Sequence, residues 1–129
     1  MIRTMDGAFY LLSLMALTVF ASACLGESEP QLPLPSGQYV FQHRFAEHPE
    51  ISSIRLDVTI KDAHITVVNP TASDPFPAGV LSEGMLIWHA PSKQWIIGQQ
   101  ASDRLARDVG GCSDGPEVVD LENKTYWTC

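Results

Sequence analysis

Between Ser53 and Ile60 the chain alternates without a break: Ile54, Leu56, Val58 and Ile60 are aliphatic, and Ser53, Arg55, Asp57 and Thr59 between them are polar. Successive side chains of an extended strand point to opposite faces, so this segment is a strand with one dry face and one wet face. The same period runs through Gln38 to Phe45, where Tyr39, Phe41, His43 and Phe45 share one face and Val40, Gln42 and Arg44 the other. After a turn at Lys61-Asp62-Ala63, the β-branched run His64 to Asn69 continues the pattern as the second arm of a hairpin. Met85 to Ala90 and Gln94 to Gly98 flank Pro91-Ser92-Lys93, and Glu117 to Leu121 and Thr125 to Cys129 flank Glu122-Asn123-Lys124, which predicts two more hairpins. Pro70 to Pro77 is rich in breakers and reads as a loop. Only Asp103 to Asp108 has helical character, with Ser102 as its cap and Gly110-Gly111 as its end.

These signals predict an all-β domain over residues 37–129, an antiparallel meander of six to eight short strands forming a barrel or a sandwich, with at most one short helix. A chain of 129 residues holds one such domain and hardly a second. Eight basic residues against fifteen acidic ones, a formal charge of -7, leave no electrostatic footprint for a phosphate backbone, so nucleic acid is not expected as a partner. The opening Gly37-Gln38-Tyr39, a glycine and then an aromatic entering the first strand, loosely resembles the start of calycin and lipocalin barrels, which implies a shape and not a function.

The first 23 residues read as an address. Arg3 precedes an apolar run from Ala8 to Ala23 that is too short for a spanning helix and ends in small residues, which is the pattern of a secretory signal peptide. The junction Ala21-Ser22-Ala23-Cys24 resembles the lipobox of bacterial lipoprotein precursors, which implies acylation of Cys24 and membrane attachment through a lipid anchor. Leu25 in place of aspartate after that cysteine implies, within the family, transfer to the outer membrane, facing the periplasm. Ala21-Ser22-Ala23 also serves as an ordinary signal peptidase site, which would leave a soluble periplasmic or secreted protein; both routes export the chain. Residues 24–36, with Pro30, Pro33 and Pro35, predict an extended proline-rich tether.

In an oxidising compartment Cys112 and Cys129 can pair, so the third cysteine, Cys24, needs another fate, and acylation supplies one. Such a bridge closes a short loop and stabilises by roughly 3 kcal/mol.

Chemistry is harder to find. No two of His43, His48, His64 and His89 have the spacing that brings ligands together on a strand or a helix, so neither metal nor cofactor is expected. No glycine-flanked serine elbow is present, and no catalytic residue is assigned. The carboxylates of Asp114, Glu117, Asp120 and Glu122 are spaced as a solvated face and not as a calcium loop. Aromatics are the more informative group: Tyr126 and Trp127 are neighbours on a strand, so one of them faces out. The candidate binding residues are Trp88, His89, Trp95, Asp114, Glu117, Tyr126 and Trp127. The expected function is non-catalytic binding at the cell envelope, of a protein partner or of a small apolar ligand. The small lipoprotein inhibitors of lysozyme are similar in size, compartment and disulfide-bearing barrel, although their inhibitory loop motif is missing here. The alternatives are a small hydrolase pairing His89 with a carboxylate such as Asp114 or Glu117, and a purely structural envelope component.

Overall fold

The computed structural model of the protein describes residues 28–129. The expected signal peptide, 1–23, and the expected acylation site, Cys24, lie outside the described residues.

Seven strands follow one another around a closed barrel: β1 (Gly37–Phe45), β2 (Arg55–Lys61), β3 (His64–Asn69), β4 (Gly79–His89), β5 (Gln94–Gly98), β6 (Glu117–Asp120) and β7 (Thr125–Thr128). Each strand pairs antiparallel with the next in chain order. The closing pair, β1 with β7, is parallel, as it must be when an odd number of alternating strands closes on itself. β1 is shared along its length: Gly37 to Gln42 pair with β2, and Gln42 to Phe45 pair with β7.

The inward face of each strand is the one its alternation assigns. Phe41, Leu56, Val58, Ile60, Ile65 and Val67 are buried in one cluster with Leu86, Trp95, Ile97, Val119, Leu121 and Tyr126. A barrel of this strand number has an interior that side chains fill, so these residues make a packed core and not a channel. Ile54 and Tyr39 are partly buried against it.

Two segments depart from the sequence expectation. β4 begins at Gly79, well before Met85, because Gly79 to Gly84 lacks the alternation that marks a strand. The register with β3 shifts between Val67 and Val68: Ser82 lies opposite Val67 and Val80 opposite Val68, leaving Leu81 as the extra residue of a bulge. Leu81 packs on the core. Gly84 is required here, since a Cβ would collide with the carbonyl oxygen of Gly98 on the neighbouring strand. The helical turn is a single 3-10 turn, Ala101–Leu105, that starts before Ser102 and is capped by Gln100 instead. Its organiser is Asp103, whose carboxylate accepts the backbone N–H groups of Gln99 and Gln100.

The proline-rich stretch is not wholly a spacer. Leu32 and Leu34 are half-buried and pack against the core, the Tyr39 hydroxyl donates to the Pro35 carbonyl, and Ser36 Oγ accepts the Asp62 N–H. Alternation in this segment, Leu32 and Leu34 inward and Gln31, Pro33 and Pro35 exposed, lays it across the barrel end as an irregular extended piece.

The connections divide by end. At one end lie the tight turns 62–63, 90–93 and 121–124; at the other lie the long loops 46–54, 70–78 and 99–116. The disulfide between Cys112 and Cys129, with Cα atoms 4.5 Å apart, ties the longest loop to the residue that follows β7.

The β2–β3 turn holds Asp62 and Ala63 at φ of 48° and 65°, a two-residue hairpin turn with both residues left-handed. A Cβ in that region costs on the order of 1 kcal/mol, and glycine avoids it at a smaller entropic cost. Ala63→Gly is therefore expected to stabilise the protein by about 0.5 kcal/mol. The check is a rise in the urea midpoint with an unchanged slope.

Candidate functional site

The tight-turn end carries a cavity of about 310 Å³. Trp88 on β4 and Trp95 on β5 are register partners across the second hairpin, with ring centroids 5.4 Å apart and planes inclined at 63°. Both line the cavity, together with Trp127 from β7. Val119 and Leu121 contribute apolar surface, and Pro30, Gln31 and Pro33 of the N-terminal segment form a further wall. The remaining lining is polar and comes from the two hairpins: Lys93 and Gln94, Asp120 and Glu122. Val118 and Val119 point to opposite faces of β6 yet both border it, so the cavity follows the edge of that strand and does not run down the barrel axis. Asp120 is held in place by Asn123, whose backbone N–H and side-chain amide donate to its two oxygens at 2.9 and 2.8 Å.

The long-loop end has a polar interior. Tyr126 faces inward and donates its hydroxyl to Glu117. Burial raises the Tyr126 pKa, and the Glu117 carboxylate beside it adds to the rise. Next to this pair His43 is fully buried. Its Nδ1 lies 2.6 Å from Ser53 Oγ and its Nε2 2.7 Å from Thr128 Oγ1. The imidazole also meets Phe45 and Phe76 edge-on, with centroids 4.6 and 4.5 Å away. Phe76 is delivered from the 70–78 loop, which Asn69 fixes by donating to the carbonyls of Phe76 and Pro77. Burial lowers the His43 pKa, and Arg44 lowers it further, so at neutral pH the ring is uncharged and one nitrogen donates while the other accepts.

His89 lies on the outer face of β4 and is buried there. Its Nε2 is 2.7 Å from the Ala106 carbonyl oxygen, which can only accept, so Nε2 carries the proton. Nδ1 is then the acceptor for the Ser92 hydroxyl at 2.7 Å. Ile96 and Val118 are buried outside the main core cluster. The loop 99–116 reaches Val118 at Gly110, whose φ of +66° is left-handed and where a Cβ would strike the Val118 side chain.

Of the seven candidate binding residues, the fold brings three together at the cavity: Trp88, Trp95 and Trp127. Glu117 and Tyr126 are joined to each other inside the opposite end. His89 is bonded to Ser92 and Ala106 and to neither Asp114 nor Glu117, and Asp114 is exposed on the long loop. Of the adjacent pair, Tyr126 is the inward residue and Trp127 the outward one. Among the described residues no group of three or more His, Cys, Asp or Glu side chains converges as a metal site would. Comparison with known proteins finds no matching family, no matching curated protein and no matching solved structure.

Sequence reasoning missed the His43 cluster and the N-terminal wall of the cavity. His43 and Thr128 are 85 residues apart and meet only through the parallel β1–β7 pair, which no local pattern announces. The one available signal was the position of His43 on the apolar face of its strand.

The buried His43 generates a pH prediction. Its folded pKa lies below the ordinary value of about 6.5, so below pH 6.5 the unfolded chain binds a proton that the native state refuses, and stability falls as pH is lowered through that range. One proton sets the ceiling of that slope at about 1.4 kcal/mol per pH unit. Urea titrations between pH 7 and pH 5 on the wild type and on His43→Gln check it: the variant should show a distinctly flatter dependence.

Proposed function

We propose that this chain is a non-catalytic binding protein of the bacterial cell envelope, exported by its first 23 residues, anchored through an acylated Cys24, and that it binds a small ligand with an apolar body in the tryptophan-lined cavity. The observation that carries this reading is the convergence of Trp88, Trp95 and Trp127, from three different strands, on one cavity of about 310 Å³. That volume is at the small end of the range for ligand sites, and the lining joins three tryptophans and aliphatic side chains to the polar groups of Gln31, Lys93, Gln94, Asp120 and Glu122, a mixture such sites use to hold and orient a ligand. Trp127 points away from the barrel interior, so filling the core does not explain its presence. A tryptophan has a large apolar body and one polar N–H, which suits a surface that meets a partner better than one that meets only water.

The hydrolase alternative gains nothing from His89. Its two ring nitrogens are engaged by Ser92 and by a backbone carbonyl, with no carboxylate to orient it.

Native mass spectrometry of the full-length chain purified from membranes tests the proposal. The expected spectrum shows acyl chains on Cys24 and a small-molecule adduct that disappears in Trp127→Ala but survives Val40→Ala, a change on an exposed position of β1. An adduct that persists in Trp127→Ala overturns the cavity as the binding site, and a Cys24 without acyl chains overturns the anchor.

A further inference from the structure

Resting on the reading of the tryptophan-lined cavity as a ligand site, we propose that its ligand is an organic cation, a quaternary or methylated ammonium group.

Three features converge. The first is the π surface. Trp88, Trp95 and Trp127 all border the cavity, and indole is the aromatic side chain that attracts a cation most strongly. With 63° between their planes, Trp88 and Trp95 form a corner and not a flat stack, so a compact group placed there meets two aromatic rings at once. The second is charge. Asp120 and Glu122 stand at the margin against the single ammonium of Lys93, and neither has a basic partner within ion-pair distance among the described residues. Asp120 is held by two donors from Asn123, so this negative charge is fixed in position before any ligand arrives. The third is the whole-chain balance of -7, which raises the local concentration of cations and repels anions.

The same features choose among cations. A primary ammonium is strongly hydrated, and against the buried Val119 and Leu121 of the lining it finds no hydrogen-bond acceptor. A methylated ammonium sheds water easily, packs its methyl groups against aliphatic and indole surfaces, and draws on carboxylates at the rim without touching them. A cavity of about 310 Å³ has ample room for such a head group.

The test is calorimetric titration of the full chain at fixed ionic strength with choline and with 3,3-dimethylbutan-1-ol, its neutral isostere. Choline is expected to bind about tenfold more tightly than the isostere. Glu122→Gln, an exposed position, should weaken choline several-fold and leave the isostere unchanged, and Trp127→Ala should weaken both. Equal binding of the two overturns the cation while sustaining the cavity as a site for apolar ligands. Binding of neither overturns the cation, and with no native adduct it overturns the cavity reading as well. Where choline binds, competition separates the two sources of this chemistry, because an acylated chain attaches to any vesicle. Release of bound choline by phosphatidylcholine but not by phosphatidylglycerol vesicles supports the proposal with a lipid head group as the source, and release by neither supports it with a free solute.

Discussion

Everything in this barrel depends on one strand belonging to two neighbours. β1 pairs through its first half with β2 and through its second half with β7, and Gln42 is the residue at which the partners overlap. Without the β1–β7 pair the sheet would have two free edges, each a row of unpaired N–H and C=O groups open to aggregation. Closure removes both edges and completes the core, since Tyr126 meets His43 only when the ring is shut. The interactions at the seam are correspondingly dense. His43 bonds to Thr128, the Gln42 N–H donates to the Lys124 carbonyl, the Ala46 N–H donates to the Thr128 carbonyl, and the disulfide is made by the next residue, Cys129.

The closed ring separates two kinds of chemistry. At the long-loop end the interior polar groups satisfy one another: tyrosine to glutamate, histidine to serine and threonine, with Phe76 edge-on to the imidazole. Such a network defines a unique arrangement but leaves no group free to act on a ligand. At the tight-turn end the aromatic groups are not fully used by the core, and the wall that completes the cavity comes from a proline-rich segment outside the barrel. Preorganisation is high on the barrel side, where the tryptophans sit on paired strands and Asp120 is braced by Asn123. It is lower on the segment side, which is attached through Leu32, Leu34 and two hydrogen bonds.

How much of this was legible in the sequence follows from the range of each interaction. β2 could be read residue by residue because its alternation is a local consequence of one wet face. The three short hairpins announced themselves through turn residues. The start of β4 could not be read, because a bulge at Leu81 and a glycine at position 84 break the period for reasons that lie on β3 and β5. The disulfide was legible from cysteine arithmetic, and the opposed facing of Tyr126 and Trp127 from the pleat. The cavity was legible only as a set of tryptophans. Their convergence depends on strand register and on the docking of Leu32 and Leu34, and a proline-rich stretch gives no sign that its leucines will find a core.

The parity of the strands sets a polarity for the whole molecule. An even meander returns its chain to the end where it entered, whereas seven strands carry the chain in at one end and out at the other. Residues 28–36 therefore approach the barrel beside the cavity, and Cys129 finishes among the long loops. A barrel held by its leading end would stand like a lamp on a short stem, with the tryptophans looking back at whatever surface holds it. The disulfide-bound loop and Leu105 would face outward, toward anything that arrives by diffusion.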